Sequence, residues 1–102
     1  MERSQQIFLI SPGPRPAFGL LADFLWPGRD VDTDGNSDFP ASSSWTELTI
    51  ALRPSCTERI DVDPVSQSPL VLKVSATSPE LASRVATFLQ ERSGGTLSAS
   101  WT

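Results

Sequence analysis

The stretch Trp45–Thr77, WTELTIALRPSCTERIDVDPVSQSPLVLKVSAT, decides the fold. It alternates three times. In WTELTIALR, Thr46, Leu48, Ile50 and Leu52 fall on one face, and Trp45, Glu47, Thr49, Ala51 and Arg53 on the other. In ERIDVDP, Ile60 and Val62 oppose Arg59, Asp61 and Asp63. In PLVLKVSAT, Leu70, Leu72, Val74 and Ala76 oppose Val71, Lys73, Ser75 and Thr77. A period of two with one apolar face is the pattern of half-buried strands. Three such runs joined by PSCT and VSQS predict an antiparallel meander covered on one side only.

The flanks say what covers it. Downstream, TSPELASRVATFLQERSGG places Leu81, Ala82, Val85, Ala86 and Leu89 on one helical stripe, with Phe88 at its margin. Ser78 is positioned as the N-cap, Pro79 as the first helical residue, Glu80 at the positive end of the dipole and Gly94 or Gly95 at the left-handed C-cap. TLSASW then alternates Leu97, Ala99 and Trp101 as a last strand, with Trp101 expected in the core. Upstream, QQIFLIS is apolar on both faces and predicts a central strand. AFGLLADFLW follows, with Phe18, Leu21, Ala22 and Leu25 at helical spacing, Leu20 and Phe24 widening the stripe, and Pro16 as the expected first helical residue. Residues 27–44 show no periodicity and read as one long acidic loop. The predicted order is β-α-β-β-β-α-β: an α+β two-layer sandwich in one domain, residues 1–102, with a mostly antiparallel sheet, two helices on one face and ferredoxin-like elements plus one strand.

Composition narrows the chemistry. The chain has no His and no Tyr, and Lys73 is its one lysine, so Ser-His-Asp and Cys-His catalysis and His-bound metals are excluded. No GxxxxGK[ST] phosphate loop occurs. Eight Lys and Arg stand against twelve Asp and Glu, and the basic residues are scattered, so neither nucleic acid nor an anionic membrane is an expected partner. One cysteine, Cys56, permits no internal disulfide. The opening MERSQQIFLISPG has an apolar run, Ile7–Ile10, too short for a secretory signal, and no stretch is long enough to span a membrane. These features lead to the expectation of a cytoplasmic protein.

The stretch RDVDTDGNSDF, Arg29–Phe39, holds Asp30, Asp32, Asp34 and Asp38, a third of all the acidic residues. It resembles the DxDxDG calcium loops over about nine residues. In EF-hand spacing the ligands are Asp30, Asp32, Asp34, Asn36 through its backbone and Asp38, with Gly35 at the turn position. The closing bidentate carboxylate is missing, because Ala41 stands there, and Pro27, Gly28 and the PASSSW exit leave the loop without flanking helices. A second reading is a set of turn formers that keep a long loop hydrated. A third is an acidic surface for a basic protein partner, weakened by salt, with Phe39 or Trp45 as a nearby anchor.

Two weaker candidates remain. Asp61 and Asp63 point the same way from a strand, as a carboxylate pair for acid–base work would, but Arg59 beside them fits ordinary surface charge. Cys56 lies between Arg53 and Arg59, an environment that lowers a thiol pKa, yet no His is present to act as base. In size, charge and architecture the chain resembles bacterial immunity proteins, antitoxins and phage-encoded inhibitors. That likeness implies a non-enzymatic protein, monomer or homodimer, that needs no cofactor and blocks a basic toxin or nuclease. The alternatives are a calcium-binding module built on the Asp30–Asp38 loop and a structural subunit that dimerises through its sheet.

Overall fold

In a computed structural model, residues 5–39, 41–54 and 57–100 are described; Cys56 and Trp101 lie outside them. The elements run β1 (Gln5–Ile10), α1 (Phe18–Leu25), β2 (Val31–Gly35), β3 (Leu48–Leu52), β4 (Arg59–Gln67), β5 (Leu70–Ala76), α2 (Pro79–Ser93) and β6 (Thr96–Ser98). The strands form one sheet in the order β2-β3-β4-β5-β1-β6, and every neighbouring pair is antiparallel. The expected α+β two-layer sandwich is therefore present. Setting aside β2 and β3, the remaining elements keep the β-α-β-β-α-β order of ferredoxin-like domains. The β2–β3 pair widens the sheet beyond β4.

The apolar face is the one read from the alternation. The register sets Leu9 opposite Leu72, Ile7 and Val62 opposite Val74, and Leu48 opposite Val62. Ile50 pairs with Ile60 in the same layer, and Leu9, Ile50, Ile60, Val62, Leu72 and Val74 are fully buried. Both helices press on this face. Leu81, Ala82, Val85, Ala86, Phe88 and Leu89 are the buried residues of α2, and Leu21, Ala22 and Leu25 those of α1. The caps of α2 also form as the residues dictate: the Leu81 N–H donates to Ser78 Oγ at 3.1 Å, Pro79 opens the helix, and Gly94 ends it at φ 78°.

Several expectations need correction. Residues 27–44 are not one loop, since Val31–Gly35 pairs with β3 as an edge strand. An edge strand with polar side chains is held by backbone bonds to one neighbour, so side-chain alternation does not reveal it. The VSQS link is not a turn but the end of β4, which continues to Gln67 through a bulge between Pro64 and Ser66. A bulge tolerates proline, which has no N–H to give the ladder. Helix α1 starts at Phe18 behind Ala17 rather than at Pro16, and Leu20 and Phe24 do not widen its buried stripe. They face solvent, where Phe24 stacks on Phe88 at 4.6 Å between ring centroids and Arg84 lies over its ring.

Adjacent residues of α1 thus make opposite contributions. Leu21 is 0% exposed and Leu20 48%. Leu21→Ala is expected to cost about 2–5 kcal/mol through a cavity. Leu20→Ala should change stability by about 0.5 kcal/mol or less. Urea denaturation of both variants checks the difference.

Candidate functional site

The acidic residues gather on the sheet face away from the helices, at its β2–β3–β4 end. Val31, Thr33 and Gly35 share the side of Leu52, Ile50 and Leu48, so Asp32 and Asp34 project from the open face. Asp34 sits across from Thr49, and Thr49 across from Asp61. On the same face, Asp63 lies across from Lys73. Asp34, Gly35, Glu47, Thr49 and Asp63 line a cleft of about 190 Å³. Three carboxylates from three successive segments thereby meet at one depression.

Their neighbours are arranged unequally. Asp61 is held: Thr49 Oγ1 donates to its Oδ1 at 2.6 Å, and Arg59 Nε donates to its Oδ2 at 3.1 Å. Arg53 Nη2 reaches Asp32 Oδ1 at 3.2 Å, both side chains being largely exposed. Among the described residues no cation comes within 4.0 Å of Asp34, Glu47 or Asp63. The cleft carboxylates are thus without an ion pair among the described residues, Lys73 being the cross-strand neighbour of Asp63, while Asp61 at the border is paired with Arg59.

The turn between β2 and β3 is built by Asn36. Its Oδ1 accepts from the Thr46 N–H at 2.9 Å and the Glu47 N–H at 3.0 Å, and its Nδ2 donates to Thr46 Oγ1 at 2.9 Å. The Asn36 N–H donates in turn to the Glu47 carbonyl at 3.1 Å. Asn36 thus clamps the returning chain and sets Glu47 beside Asp34. Gly35 permits the close pairing, because a Cβ there would run into the Glu47 carbonyl oxygen.

The residues expected to act together are dispersed. Asp32 and Asp34 share the open face, Asp30 precedes β2, and Asp38 and Phe39 lie on the following turn, with Phe39 59% exposed. Trp45 is not an exposed anchor. It is 1% exposed, its Nε1 donates to the Pro16 carbonyl at 2.8 Å, and its own carbonyl accepts from Arg15 Nε at 2.8 Å. Strand β3 begins only at Leu48, so the alternation does not extend back to Trp45, and its indole packs into the core. Burial lowers the pKa of Arg15, which also donates to the Gly13 carbonyl at 2.8 Å. Asp30, Asp32, Asp34, Asn36 and Asp38 are strung along an extended strand and its exit rather than wrapped round a point. Among the described residues no group of three or more His, Cys, Asp or Glu side chains is placed to hold a metal ion.

Glu47 and Asp63 belong to the cleft; in the sequence Asp63 reads only as the companion of Asp61, and Glu47 as one polar residue of an alternating run. The signal was present in part: Glu47 and Asp63 share strand parity with the polar residues of their runs. What joined them to Asp34 was the β2–β3 and β3–β4 register together, which the alternation did not contain.

The chain matches no protein-family model, and no curated protein or solved structure matches it either.

Asn36→Ala removes the clamp and is expected to cost roughly 1 kcal/mol for its side-chain bonds. It should also speed hydrogen exchange at the Thr46 and Glu47 amides. Asn36→Asp, which keeps the acceptor, should retain most of that protection in the same NMR measurement.

Proposed function

We propose that this chain is a small non-enzymatic protein that binds and blocks another protein, as immunity proteins, antitoxins and inhibitors do, with its acidic face covering a basic surface. The observation that carries this reading is the cleft of Asp34, Glu47 and Asp63, bordered by Asp32 and Asp61. Carboxylates concentrated on one end of a sheet attract a cationic partner, speed encounter and discriminate against acidic surfaces. A nuclease or toxin that grips phosphate needs a basic groove, and an acidic face is its electrostatic complement. The absence of His removes the commonest acid–base residue, which favours occlusion over catalysis. Phe39, exposed in the segment after β2, offers an apolar contact to the same partner.

The test is an affinity capture followed by an activity assay of the captured protein. The wild-type chain is expected to retain a basic protein at about 0.05 M salt and to release it as salt screens the charges. It should inhibit that protein's own activity. The combined variant Asp34→Asn, Glu47→Gln, Asp63→Asn is expected to bind roughly tenfold more weakly or worse. A partner held equally by this variant would place the contact elsewhere and remove the support for the acidic face.

A further inference from the structure

Strand β2 is the last strand of the sheet, and its outer backbone faces solvent. The Arg53 N–H donates to the Asp30 carbonyl at 3.0 Å, and the Asn36 N–H to the Glu47 carbonyl at 3.1 Å. Antiparallel ladders alternate, so the even-numbered residues from 30 to 36 turn their N–H and C=O groups toward β3. Val31, Thr33 and Gly35 turn theirs outward. Asp34 Oδ1 accepts from the Gly35 N–H at 2.9 Å and takes up that donor. Among the described residues, nothing takes the outward N–H groups of Val31 and Thr33.

Each side of this edge has its own depression. On the open face lies the carboxylate cleft of Asp34, Glu47 and Asp63. Along the helix side runs a hollow of about 210 Å³, where Phe18 and Leu48 supply apolar walls and Thr33, Asp34, Gly35 and Ser37 complete a more polar lining. A strand added at β2 would send alternate side chains to the two sides. Residues over Asp32 and Asp34 would meet negative charge, and the next residue in each case would meet the hollow beside Phe18. A second copy of this chain does not fit. Pairing β2 with β2 would bring Asp32 and Asp34 beside the same carboxylates of the other copy.

We infer that the β2 edge takes up an extended basic segment of the blocked protein as a seventh strand, with lysine or arginine alternating with apolar residues. This rests on the acidic-face reading above and adds to it a backbone docking mode and a ligand pattern. The occupant is set by charge complementarity on one face and by the hollow on the other.

The probe is a synthetic capped peptide of alternating Lys and Val, slightly longer than the five residues of β2. A peptide of the same composition with Lys and Val in two blocks is the comparison. The full isotope-labelled chain is titrated with each at low salt. The alternating peptide is expected to bind about tenfold more tightly than the block peptide. It should also slow hydrogen exchange at the Val31 and Thr33 amides, and an alternating peptide with N-methylated backbone should lose both effects. Equal binding of the two cationic peptides, with the Val31 and Thr33 amides unchanged, would overturn the added strand and leave the acidic face standing. Binding of neither would overturn both. A concentration-dependent dimer of the chain alone, with those two amides protected, would assign the edge to a second copy and overturn the inference.

Discussion

Leu9, Leu72, Val74, Ile60, Val62, Ile50 and Leu48 make a continuous apolar row across four strands, and excluding water from that row organises the molecule. Each such side chain contributes about 1.5–3 kcal/mol when fully buried. A lone sheet cannot supply that, so a second layer must cover it. Helix α2, with fifteen residues, packs on β1, β4, β5 and β6. Helix α1 has only eight residues, and the core it leaves uncovered is completed by Trp26 and Trp45. Trp45 can serve there because its one polar atom is satisfied by the Pro16 carbonyl, which spares the core an unpaired donor.

That arrangement places the chemistry on the other face. With the helices on one side, polar residues of β2, β3 and β4 are left together on the open side, and antiparallel register brings them into line. The open face is not uniform. At its β1–β5 end Ile10 stands opposite Val71, and Val71 is fully buried although its face is the polar one. The carboxylates collect at the opposite end, next to the edge strand. Charge on an edge strand also has a structural effect, since it discourages pairing between copies. Under the proposed docking mode, the aspartates of β2 that oppose a second copy would also draw a cationic strand, so edge protection and partner choice would rest on one set of residues.

The legible elements were those whose side chains repeat with their secondary structure. Leu81, Ala82, Val85, Ala86 and Leu89 could be assigned to a buried stripe because helical geometry alone gathers them. Leu72 and Val74 could be assigned to the core face because a strand alternates. Strand β2 lacked such a signal: Asp32, Thr33 and Asp34 are all exposed, and the strand exists through backbone bonds to β3. Trp45 lies three residues ahead of β3, so the alternation of that strand does not govern where its indole goes. Of the candidate site, Asp32 and Asp34 were visible as acid-dense positions. Asp63 reads from the sequence only as a companion of Asp61, and nothing local joins it or Glu47 to Asp34.

By itself, then, the amino-acid sequence determined the α+β class, the buried face of the meander, both helices, the caps of α2, and the concentration of acid in residues 30–38. All of these follow from local geometry, in which spacing along the chain equals spacing on a face. Only the tertiary structure decided that the acidic segment is an edge strand, that Trp45 is core, and that Asp34, Glu47 and Asp63 line one cleft. Those outcomes depend on which strands pair and in what register. Register is set by the summed burial of the helix-covered face and by the Asn36 clamp, which are interactions between segments distant in sequence.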